Sequence, residues 1–161
     1  MSIACKAGWA VSAVLAAALG AGAYLFVIQG NTEPYEDGRT AILLSKDERN
    51  RVLGEMRALL EASKAITQAA VKGDMETVAT EARAVGMVAA EGESPVLIAK
   101  LPLEFMTMGY SAHRAMDDLA DLAGRSDDPL EILGALGEAM EICTGCHAGY
   151  RLGVEGQDEG S

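Results

Sequence analysis

Cys143-Thr144-Gly145-Cys146-His147 brings two thiols and an imidazole together near the C-terminal end of the chain. A C-x-x-C-H pentapeptide reads as a site of covalent haem attachment: each thiol forms a thioether with a vinyl group, and the adjacent imidazole reaches the iron from the same side. The same residues could also serve as a redox dithiol or as half of a zinc site. A zinc site would need a fourth ligand, and the other histidine and cysteine, His113 and Cys5, lie far off in sequence. A thioredoxin-type pair opens a helix, whose N-terminus lowers the thiol pKa, whereas this motif lies near the end of a helical pattern. The expected cofactor is therefore one covalent haem c on Cys143 and Cys146, with His147 as the proximal iron ligand.

The elements that must hold such a group are helical. Alanine, leucine, methionine and glutamate dominate the 161 residues, and aromatics make up only 4%. Ser45 with Glu48 forms a capping-box pattern and Gly73 is a stop, which predicts a first long helix over 46–72. Its apolar stripe is Val52, Met56, Leu59, Ser63, Ile66 and Ala70. Asp74 can cap a shorter helix fading near Gly92, and residues 93–101, bracketed by Pro95 and Pro102, read as a connection. A third helix is expected from Pro102 to Gly124 with the stripe Phe105, Met108, Ala112, Ala115, Leu119 and Leu122. Asp128-Pro129 opens a fourth over about 129–151, stopped by Gly153, with the stripe Leu133, Leu136, Met140, Cys143, His147 and Tyr150. On that spacing the haem motif continues the core-facing stripe, so the group belongs inside the helical assembly.

Ahead of these helices the chain is uncharged and apolar from about Ala7 to Ile28, and about 20 apolar residues suffice to cross the hydrocarbon core. Trp9 and Tyr24 stand toward the two ends, and Lys6 with the terminal amine marks the cytoplasmic side. Residues 1–6 are thus expected in the cytoplasm and 7–29 in the membrane as an anchor or uncleaved signal. A cleaved signal peptide competes, because Ala21-Gly22-Ala23 resembles a small-residue cleavage site. Cys5 then lies on the reducing side as a free thiol. Residues 30–40 read as a linker, 41–152 as the haem-bearing bundle and 153–161 as a disordered tail. The net charge of −11 excludes nucleic acid as a partner and is compatible with a basic redox protein, although solubility alone explains it equally well.

Four amphipathic helices with short joins, and no competing strand pattern, predict an all-α fold: an antiparallel four-helix bundle behind an N-terminal transmembrane helix. With the C-x-x-C-H at the end of the fourth helix, followed by Tyr150-Arg151 and preceded by an arginine-containing first helix, residues 41–152 resemble the cytochrome c′ family, including its low-spin members. The resemblance implies thioethers at Cys143 and Cys146, His147 as proximal ligand, and Arg151 near the haem edge and its propionates. The anchor is a departure from that family's pattern.

The residue facing His147 decides the function. In an up-down-up-down bundle the start of the first helix and the end of the fourth share one end, and Met56 stands there on the apolar stripe. A methionine thioether would fill the sixth position, raise the potential and make an electron carrier; ordinary core packing explains the residue as well. Leu53, four after Arg49, is the rival, and it would leave the iron five-coordinate and open to nitric oxide or carbon monoxide. His113 lies off its stripe and reads as a flank histidine touching solvent or Asp117. Met106, Met108 and Met116 read as core, and Arg49, Arg51 and Arg57 either face the haem edge or form a solvated helix face. The expectation is a non-enzymatic, single-electron carrier of the bacterial inner membrane with its haem domain in the periplasm. Redox proteins are its partners, and a homodimer is left open. A gas-binding protein and an interaction protein with a structural haem are the alternatives.

Overall fold

The computed structural model describes residues 3–157, apart from the side chains of residues 3–7 and 26–27. It is mostly helical, 72% over six helices, with a small three-stranded sheet. The first helix, α1 (Ile3–Ala23), runs into a π-helical turn at Tyr24–Gln29, and its apolar side chains, among them Trp9, Val14 and Leu19, are exposed. Among the described residues no helix is long and apolar enough to cross a membrane. Cys5 lies outside the described side chains.

The segment expected to be a linker is instead structured. Gly30, at φ +66°, turns the chain into β1 (Thr32–Pro34), which pairs antiparallel with β2 (Thr40–Leu44). Ser45 then opens α2 (Lys46–Val71) with the expected reciprocal cap, Glu48 N–H donating to Ser45 Oγ and Ser45 N–H to Glu48 Oε2. Gly73 takes φ +71° just past the helix end, and Asp74 caps α3 (Met75–Ala84). A 3-10 turn at Met87–Ala90 follows, and the expected connection holds one short helix, α4 (Pro95–Ile98), capped by Ser94. Two long helices complete the chain, α5 (Leu103–Ala123) and α6 (Pro129–Gly149), the latter capped by Asp128 with Pro129 in its first turn.

The end of α6 departs from expectation. The helix stops at Gly149 rather than near 151, because Tyr150 adopts extended angles (φ −128°, ψ 154°) and starts β3 (Tyr150–Val154). β3 pairs in parallel with β2, Thr40 opposite Tyr150 through Leu44 opposite Val154. Gly153 is therefore a strand residue and not a helix stop; a Cβ there would meet Leu43 Cδ2 at 3.0 Å. Val154 is buried, so the tail expected from 153 begins as ordered strand. Parallel strands need a long crossover, and here the whole helical block α2–α6 supplies it.

Helix α2 packs on α3 and α6, and α5 packs on the same two, which closes a ring of four helices. Inside it lies the larger core, including Ala62, Ile66, Val78, Met116, Leu119, Ile132 and Leu136. A second core sits at the other end of α2, where Ile42, Leu44 and Leu152 of the sheet meet Val52, Leu97 and Phe105. The buried face of α6 runs through Ile132, Leu136 and Ala139, while Met140 is exposed, so the stripe is turned by about one residue from the expected one. On α5 the buried arc is wider than a single stripe because two helices flank it, and it takes in His113. His113 is 7% exposed and its Nδ1–H donates to the Val85 carbonyl at 2.8 Å. It is a core histidine tying α5 to the end of α3, not a flank residue at the surface.

Candidate functional site

The last turns of α6, the first turns of α2 and the hairpin border a half-open cavity of about 470 Å³, within the range of small-molecule and cofactor sites. Cys146 and His147 line it from α6, Arg49, Leu53 and Met56 from α2, and Phe105 from α5. Tyr150, Arg151 and Leu152 of β3 and Tyr35, Glu36, Asp37 and Arg39 of the hairpin complete the wall. Thus four of the five residues singled out from sequence, Cys146, His147, Met56 and Arg151, meet at one cavity, together with the rival Leu53. Cys143 is the exception: it is half-buried one turn before Cys146 and off the cavity wall. Residues three apart on a helix are surface neighbours, and Cys143 indeed acts electrostatically on Cys146.

Both cysteines are free thiols. Burial pushes Cys146 up to about 11, with Cys143 and Glu104 adding to the shift, and burial raises Cys143 as well. A redox dithiol needs the opposite displacement, supplied by a helix N-terminus. These thiols sit in the last turns of α6, where the helix dipole disfavours a thiolate. The geometry runs against the dithiol reading, and no group of three or more metal-binding side chains occurs among the described residues.

The apolar part of the wall comes from the second core. Phe105 and Tyr150 meet edge to face, centroids 5.6 Å apart at 74°, and Met56, Leu53 and Cys146 pack against the same cluster. Tyr150 donates its hydroxyl to Glu104 Oε2 at 2.8 Å; burial first, then this carboxylate, pushes its pKa up to about 12. The hydroxyl therefore remains a donor.

Three arginines give the cavity its positive side. Arg49 donates Nε to the Leu152 carbonyl at 3.2 Å and enters none of the ion pairs found among the described residues. Arg39 is paired with Asp37 at 2.7 Å and reaches the His147 carbonyl at 3.5 Å. Arg151 stacks over the Tyr35 ring, 3.6 Å from its centroid. The other two arginines considered on α2 lie elsewhere: Arg51 pairs with Glu93 at 2.8 Å, and Arg57 is exposed off the wall. The hairpin residues Tyr35 and Arg39 were not legible as site residues, because only the parallel pairing of β2 with β3 carries them to the end of α6.

The donor set fits a haem. An imidazole, a thioether and the Cys146 thiol line one cavity, Cys143 stands a helical turn before Cys146 and off the wall, and Arg49, outside the ion pairs found among the described residues, offers a counter-charge for carboxylates. No family model matches the chain, and no curated protein and no solved structure matches it either.

Proposed function

We propose that this chain is a membrane-anchored c-type cytochrome that passes single electrons between redox proteins. One observation carries the reading: Cys146, His147 and Met56, from α6 and α2, line the same cavity of about 470 Å³. When bound, the haem supplies a one-electron iron couple, and the chain's residues supply everything around it. Cys143 and Cys146 would hold it covalently, and His147 and Met56 would bind its iron. Phe105, Leu53 and Leu152 exclude water, and Arg49, with Arg151 at the rim, offers charge to the propionates. The Met56 thioether, bound to that iron, would favour its reduced state and keep small gases out.

The ring of α2, α3, α5 and α6 is read as an antiparallel four-helix bundle resembling that of the cytochrome c′ family. The apolar run 7–29, divided between α1 and the π-helical turn so that neither element alone is long and apolar enough to span, is read as a whole as the inner-membrane anchor on its length and its exposed side chains. The haem domain then faces the bacterial periplasm.

A second reading rests on Leu53, which lines the cavity beside Met56. Were Leu53 to face the iron, the protein would bind nitric oxide or carbon monoxide at an open position. The absorption spectrum of the reduced protein with and without carbon monoxide separates the two. A low-spin spectrum that carbon monoxide leaves unchanged, or changes slowly, is expected; a high-spin spectrum with immediate binding would give the gas-binding reading first place.

A further inference from the structure

The junction between α1 and the rest of the chain is built as a clamp. Gly30 takes φ +66° with its Cα so close to the α4–α5 connection that a Cβ would lie 2.5 Å from the Lys100 carbonyl oxygen. Asn31 N–H donates to that same carbonyl at 2.8 Å, and the Asn31 side-chain amide donates to Leu43 O at 2.9 Å and Glu155 Oε1 at 3.0 Å. Lys100 in turn pairs with Glu48 at 2.7 Å and Glu155 at 3.0 Å, and Glu48 is the residue that closes the cap of α2. The π-helical turn itself packs against α5. Asn31 is thus bound directly to the α4–α5 connection, to β2 and to the segment after β3, and through Lys100 to the cap of α2, at a point where the sequence offers only Gly-Asn.

We propose that α1 is mounted rigidly on the cavity-bearing domain through the Gly30–Asn31 junction, so that the cavity is presented at a fixed orientation to whatever holds α1. The lock is polar and multiply connected, which a tether would not need. Lys100 is raised and Glu48 lowered from their ordinary values, chiefly by their mutual hydrogen bond, so both stay charged at neutral pH. Tyr35 stands five residues after Gly30, and a chain spans at most about 3.5 Å per residue. The cavity rim therefore lies within about 17 Å of Gly30, the first residue past the helical run. Under the anchor reading, on which this consequence rests, the cofactor edge is held close to the bilayer surface, and the partner that reaches it is one seated in the same membrane.

Electron–electron distance measurements test the joint. Nitroxides are attached through Ser12→p-acetylphenylalanine on α1 and Lys64→p-acetylphenylalanine on α2, in the full chain in lipid nanodiscs. One narrow distance distribution is expected. Asn31→Ala with Lys100→Ala should broaden it, and inserting Gly-Ser-Gly between Gln29 and Gly30 should broaden it without touching any residue of the domain. A broad distribution in the otherwise unmodified chain, or a narrow one that survives the insertion, would overturn the proposal. A narrow distribution from protein that stays outside the discs would support the joint and overturn only the anchor reading.

Discussion

At the residue scale the account turns on Met56. It lines the cavity with Leu53 one turn away on α2, so both could be packing residues of the second core. Met56→Leu keeps the apolar volume and should cost less than about 1.5 kcal/mol of stability. If the thioether is the sixth ligand, the same change should convert the reduced spectrum from low to high spin, admit carbon monoxide at once and lower the potential. An unchanged spectrum would make Met56 filler. Beside it, burial first, then the neighbouring Glu93 carboxyl, raises the pKa of Glu55 to about 7. The folded chain therefore holds a proton that the unfolded chain has already released between the ordinary carboxylate range and about 7. The stability from this group is complete below the ordinary carboxylate range and is lost as pH rises from there through about 7. Glu55→Gln should flatten that decline in denaturant midpoints taken from the ordinary carboxylate range up to about pH 7; an unaltered slope would count against the carboxyl pair. The pentapeptide and Met56 were legible because short spacing and helical period are local signals. His113 was misread because one apolar stripe underestimates the buried arc of a helix packed on two others.

At the scale of elements, the helix starts were legible to within a residue or two wherever a side chain caps them, since Ser45, Asp74 and Asp128 each accept the expected backbone N–H, whereas α3 ends at Ala84, well short of the expected Gly92. The strands were not. β2 and β3 are short and separated by the entire helical block, so neither has a local partner to announce it. Tyr150 and Gly153, read as helix and stop, are instead extended strand residues paired with Thr40–Leu44. This sheet is a structural part of the domain rather than a linker, and Ile42, wholly buried in the second core, reports on it. Ile42→Ala should lower unfolding stability by about 2–5 kcal/mol and loosen the cavity wall formed by Leu152 and Phe105. A loss of only a few tenths would show that the hairpin packs weakly. Arg39 belongs to the same lesson: an exposed-looking arginine beside Gly38 becomes a wall residue only when the hairpin folds over the end of α6.

At the scale of the whole molecule, two apolar systems are kept apart: an N-terminal helical run with exposed apolar side chains, and an acidic domain, most of the chain's net charge of −11, with its cofactor-sized cavity at one end. Under the anchor reading the protein should remain in the membrane fraction at high salt, with the domain digested by protease added from the periplasmic side. A soluble product starting at Tyr24 would instead show cleavage after Ala23. The most direct measurement addresses the haem itself. The protein, purified from a host with cytochrome c maturation, is unfolded in detergent and extracted with acidified solvent, and the haem spectrum of the polypeptide is recorded. The account predicts that the pigment stays on the chain, that Cys143→Ala with Cys146→Ala releases it, and that His147→Ala leaves it attached but changes its ligation. Pigment extracted from the unmodified chain, or a chain carrying none, would contradict the central claim.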